Sequence, residues 1–118
     1  MDLDEQSKII ASLREEIETA EHDFRAAQAE EVEATTEYEK CYAQMHLRYR
    51  AEGKGLEDSK QWAILATQEQ RTAWRIAEGL RRSAAAAMEN KRKILSAIEA
   101  SLYVRNSEIK AEIMNHAS

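Results

Sequence analysis

The stretch RYRAEGKGLEDSKQW, residues 48–62, decides the fold, because it holds two of the three glycines in a chain of 118 residues without proline. Glycine reaches left-handed backbone angles at a helix end at little steric cost, whereas other residues are strained there. Gly53, Lys54 and Gly55 therefore mark the end of one helix. Asp58 or Ser59 is expected to cap the next through a side-chain oxygen. The alternative, a phosphate-binding loop, needs a preceding strand, more glycines and a Lys-Ser/Thr pair opening the helix. None of these accompanies GKG. The stretch reads as a bend between two helices.

Outward from the bend, the first arm follows a heptad. One row reads Leu3, Ile10, Ile17, Phe24, Glu31, Tyr38 and Met45; the other reads Gln6, Leu13, Ala20, Ala27, Ala34, Cys41 and Arg48. Apolar residues at alternating steps of three and four bury one side of a helix. Only Glu31 interrupts the first row. This predicts a helix over 3–52, a bend over 53–57 and a second helix over 58–115.

The second arm is less regular. Its apolar stripe is read as Trp62, Leu65, Ala73, Ile76, Leu80, Ala84, Ala87, Ile94, Ile98, Leu102, Ile109 and Ile113, drifting away from strict heptads. Trp62 and Trp74 are both expected in the seam. Gly79 costs roughly 1 kcal/mol relative to Ala inside a helix and marks a kink or, in a three-helix alternative, a break. With no proline or capping cluster beside it, one continuous second helix is the expectation. SAAAAM, residues 83–88, serves either close helix approach or helix propensity alone.

Composition supports the same class. Charged residues make up 33% and aromatics 6% of the chain, too few large apolar groups for a thick core. The expected fold is all-α: a long antiparallel helical hairpin, coiled-coil-like, forming one domain and completing its thin seam by homo-oligomerisation. Net charge is −5, unevenly spread. Residues 1–45 carry 13 acids and 4 bases, whereas the remainder carries 9 acids and 13 bases. The arms attract each other when folded together, or the second arm shows a basic face to a partner. The N-terminal MDLDEQSK lacks the apolar run of a signal peptide, and no stretch approaches the roughly 18 apolar residues of a membrane span. A cytoplasmic chain with no membrane partner is expected.

Catalytic chemistry is not visible. His22 and His116 each follow a glutamate by four residues, not by the three of di-iron bundle pairs, and read as solvated groups. Cys41 lies on a seam row, where a free thiol acts as a small apolar residue. Neither a nucleophile setting nor a converging ligand set appears, so no enzyme activity, metal or cofactor is expected.

The binding signal is a run of bases with aromatics among them: Arg48, Arg50 and Lys54 around Tyr49, then Arg71 and Arg75 about Trp74, then Arg81, Arg82, Lys91, Arg92, Lys93 and Arg105. Cations that track phosphates and aromatics that stack on bases hold single-stranded nucleic acid. The competing explanation is helix-surface pairing, with Glu78 near Arg81 or Arg82 and Glu89 near Lys93.

YEKCYAQMHLRYRAEGKGLEDSKQWA and RKILSAIEASLYVRNSEIK together resemble small phage-encoded helical-hairpin proteins of recombination modules, extending to the mediators that load a recombinase on single-stranded DNA. The resemblance covers residues 38 to 110. It implies ring-like or higher assembly and a recombinase or annealing-protein partner. It also implies a single-stranded DNA site carried by Arg48, Arg50, Lys54, Arg81, Arg82, Lys91, Arg92, Lys93 and Arg105. The strongly acidic first arm departs from that pattern. The other reading is a coiled-coil protein-interaction module, or a small phage inhibitor of a host protein, acting through the acidic arm. A secreted hairpin would carry Trp-x-Gly at the bend, which this chain lacks.

Overall fold

The computed structural model describes residues 2–117. The chain is an all-α helical hairpin of α1 (Leu3–Ala51), α2 (Leu56–Ala66) and α3 (Gln68–Ala117), with no strand among the described residues. It forms two compact units, Asp23–Ala85 and Met1–His22 with Ala86–Ser118.

The bend forms as its glycines require. Gly53 adopts φ +89. Its amide donates to the Arg50 carbonyl at 3.0 Å, and the Lys54 amide donates to the Tyr49 carbonyl at 3.1 Å. These two bonds are a Schellman closure of α1, which satisfies carbonyls the helix end leaves open. Arg50 Nη1 and Ser59 Oγ both donate to the Lys54 carbonyl, at 3.2 and 3.3 Å. Gly55 caps α2 from extended backbone, with no side-chain cap bond. The expected caps Asp58 and Ser59 therefore lie inside α2. Ser59 turns its hydroxyl back to the bend, and Asp58 sits in the first turn, where an acid suits the helix dipole.

The continuous second helix expected over 58–115 is interrupted, and the break falls at Thr67, not at Gly79. Thr67 is the C-cap of α2, with φ −114 and ψ 21. It is 1% exposed, and its hydroxyl donates to the Ala63 carbonyl at 2.7 Å. A threonine hydroxyl that bonds the preceding turn competes with the backbone ladder and bends a helix. The interruption is short, since Arg71 N already bonds the Thr67 carbonyl at 2.9 Å. Gly79 stays inside α3.

Unit Asp23–Ala85 is an antiparallel pair. Tyr49 meets Trp62 at 5.9 Å between ring centroids, Tyr38 stacks on Trp74 at 5.6 Å, and Glu31 takes the Arg81 guanidinium. Pair by pair, the first arm descends while the second ascends. Phe24, Ala27, Glu31, Ala34, Tyr38, Cys41 and Met45 are half-buried, as the heptad rows predict. Against them stand Ser59, Ala63 and Thr67, fully buried, then Gln70, Trp74, Ala77, Arg81 and Ala84. Glu31, the interruption in the first row, is matched by an arginine at the equivalent level of the other arm.

In the second unit, Arg92 bonds Glu21 at 2.6 Å and Arg14 bonds Glu99 at 3.4 Å. Gln6, Ile10, Leu13, Ile17 and Ala20 supply one side of its seam; Met88, Lys91, Leu95, Ile98 and Leu102 supply the other. The ends of the predicted rows, Leu3 and Arg48, are exposed.

The expected stripe of the second arm needs correction. Ala84, Ile98 and Leu102 lie in the seam, whereas Trp62, Leu65, Ala73, Ile76, Leu80, Ala87, Ile94, Ile109 and Ile113 are exposed. The arm carries two heptad stripes. Ala73, Ile76 and Leu80 each precede a seam residue, Trp74, Ala77 and Arg81, by one position, a rotation of about 100° around the helix. The seam stripe hides among polar residues; the visible apolar stripe faces outward.

Candidate interaction face

In unit Asp23–Ala85, the residues of the outward stripe are exposed. Trp62 and Ala66 on α2 and Ala73, Ile76 and Leu80 on α3 each precede a seam residue by one position, with Ile76 59% and Leu80 54% exposed. A single outward leucine needs no explanation, whereas a row at helical spacing on one face is a candidate for contact with another surface. Glu69 is the one charge on this row. Gly79 borders it, and a Cβ added there would meet nothing within 4 Å.

Beside this row runs a shallow groove of about 280 Å³, lined by Glu30, Glu33, Ala34 and Glu37 of α1 and by Gln70 and Ala73 of α3. Heptad spacing places Glu30 and Glu37 on one flank of the first seam, and Glu33 lies beside them. Among the described residues these three carboxylates make no ion pair, while their neighbour Glu31 is occupied by Arg81. Glu37 accepts a hydrogen bond from Cys41 Sγ at 3.3 Å. That bond, with burial and the Glu37 charge, pushes the Cys41 thiol above its ordinary pKa. The face is thus apolar along α2 and α3 and walled with unneutralised acid along α1.

The nine bases expected to hold DNA are dispersed. Arg48, Arg50 and Lys54 gather at the bend: Arg48 pairs with Glu52 at 3.5 Å, and Lys54 Nζ lies 4.6 Å from the half-exposed Trp62 ring. Arg81 is half-buried in the seam on Glu31, whereas Arg82 points outward and pairs with Glu78 at 2.6 Å. In the other unit Lys91 is half-buried, Arg92 reaches across to Glu21, and Lys93 pairs with Glu89 at 3.8 Å. Arg105 lines a groove there with Gln6, Ile9 and Ile98. Neighbouring bases therefore divide between seam and surface, because adjacent residues on a helix point about 100° apart. The expected helix-surface pairs of Glu78 with Arg82 and of Glu89 with Lys93 are present.

Among the described residues, no group of three or more His, Cys, Asp or Glu could hold a metal ion, and no helix is long and apolar enough to cross a membrane. The sequence pattern picks out Trp62, Ala73, Ile76 and Leu80 of this exposed row but assigns them to the seam. The signal for their outward placement is the second, partly polar row of Trp74, Ala77 and Arg81 one step behind Ala73, Ile76 and Leu80. Comparison with protein-family models, curated proteins and solved structures finds no match.

Proposed function

We propose that the chain is a protein-interaction module that docks a helix on the exposed face of its second arm, beside the acidic wall of its first. The observation that carries this reading is that the more apolar stripe of α3, with Ala73, Ile76 and Leu80, is the one the hairpin leaves uncovered. Helices that lay an apolar face into a groove recognise partners through residues at such spacings. The acids beside it select the sign of what approaches. A photo-crosslinking residue at position 76 tests the reading, with the same residue at the exposed position 36 on α1 as control. Protein adducts from position 76 and none from position 36 are expected. No adduct from position 76 would overturn the reading.

A second reading, a recombination accessory that holds single-stranded DNA, draws support from the bend. There Lys54 lies over Trp62, which is 49% exposed, and Arg48 and Arg50 close the preceding helix a few residues away. Its test is a polarisation titration with labelled single-stranded DNA at low and physiological salt, since phosphate contacts weaken as salt rises. Arg81 and Arg92 must stay intact in that test, because both hold the arms together. Arg48→Glu, Arg50→Glu and Lys54→Glu in one chain should abolish salt-sensitive binding; binding unchanged by them would remove the bend as the site.

A further inference from the structure

We propose that copies of the chain stack through the two unlike flanks of unit Asp23–Ala85, the basic flank of one copy lying on the acidic, apolar flank of the next, each turned end for end. This rests on the interaction-module reading and names the partner as another copy of the chain.

The two flanks of the unit differ in sign. Residues one position before a seam residue share a flank, as Glu30, Glu33 and Glu37 of α1 line one groove with Ala73 of α3. That flank carries Asp23, Glu30, Glu33, Glu37, Asp58 and Glu69 against one base, Lys40. Residues one position after a seam residue lie on the other flank, since each step along a helix turns about 100°. There Arg25, Lys60, Arg71, Arg75 and Arg82 stand against Glu39 and Glu78, and Glu78 is already held by Arg82. Among the described residues Glu30, Glu33 and Glu37 make no ion pair, and neither do Arg25, Arg71 and Arg75. Acids and bases on opposite flanks cannot satisfy each other within one chain. A copy stacked on a copy brings them together.

Register then selects the orientation. Glu31 is level with Arg81 and Tyr38 with Trp74, so Glu30 is level with Arg82 and Glu37 with Arg75. Stacking without a turn would lay the acidic α1 of one copy on α1 of the next, whose facing flank offers only Arg25. Turned end for end, the next copy lays α3 over α1 instead. The two glutamates and the two arginines are each seven residues apart, so in one alignment Glu30 meets Arg75 and Glu37 meets Arg82. The same alignment sets Val32, 62% exposed, against Ile76 and brings Arg25 to Glu69. The apolar row of α3 is thus covered by α1 of the next copy. Because the joined flanks differ, each added copy leaves one acidic and one basic flank free, and the series stays open.

Sedimentation of the full chain at several concentrations and two salt levels tests the proposal. The average mass should exceed twice 13.5 kDa, rise with concentration and fall as salt screens the exposed charges. A mass of one chain throughout, or one fixed at two chains, would overturn it. Glu30→Lys with Glu37→Lys in one chain, and Arg75→Glu with Arg82→Glu in another, should each sediment singly with helical circular dichroism intact and assemble when mixed; a mixture that stays single-chain would refute the flank pairing. In a Cys41→Ser background, oxidising Val32→Cys chains together with Ile76→Cys chains should join unlike chains. Disulfides only between like chains would refute the end-for-end stacking. The crosslinks from position 76 separate the two readings. Adducts with a different protein, from a chain that is monomeric in isolation, would sink the stacking and leave the module reading standing. No adducts at all would remove both.

Discussion

Three side chains show how local chemistry sets this hairpin. Gly53 holds φ +89, so Gly53→Ala should cost about 1 kcal/mol, read as a lower denaturant midpoint with an unchanged slope. Cys41 donates its thiol hydrogen to Glu37, which keeps less of it as thiolate at a given pH than an ordinary cysteine has. Glu37→Ala removes both the acceptor and the charge. It should shift the alkylation-rate profile of Cys41 to lower pH, and a profile that stays in place would refute this cause. Arg81 and Glu31 form a half-buried pair, with side chains 29% and 22% exposed. Arg81→Leu alone leaves a carboxylate in the seam and should destabilise by about 2 kcal/mol, whereas Arg81→Leu with Glu31→Leu should recover most of that loss, since apolar replacement of such a pair is often neutral. Urea titration of the three chains separates the cases. Sequence alone showed Glu31 only as a flaw in a row; its reason lies on the other arm, fifty residues away.

Among the elements, α1 was legible nearly residue by residue, because its outer faces are polar and one apolar stripe stands out against them. The second arm was not. Its seam contains Thr67, Gln70, Arg81 and Lys91, while larger apolar residues lie outside, so hydrophobicity pointed to the wrong face. A continuous helix over 58–115 was expected, with Gly79 the alternative break on propensity; the arm is instead interrupted at Thr67, where a hydroxyl competes with the ladder. Thr67→Val keeps the volume and removes the hydroxyl. It should draw the carbon chemical shifts of residues 66–68 toward continuous helix while changing stability by less than about 1 kcal/mol. Shifts that stay non-helical would place the cause of the break elsewhere.

At the scale of the whole molecule, the division of charge was plain in the sequence, but its use was not. Bases on the second arm are partly spent on the first, as Arg81 on Glu31 and Arg92 on Glu21 illustrate, so a count of cations overstates what is offered to a ligand. Which base points inward depends on register, and register is set where the chain turns. The closure at Gly53 and Lys54 fixes how many residues separate the two arms. It follows that the hairpin tolerates insertions and deletions very unevenly. One residue added to either arm near the turn would slide every partner beyond it out of line and rotate that arm's stripes away from the seam. Seven residues added to both arms at the same level would leave every existing partnership intact. Among chains descended from a common ancestor with this fold, length should therefore change in matched heptads, and the turn itself should keep its length.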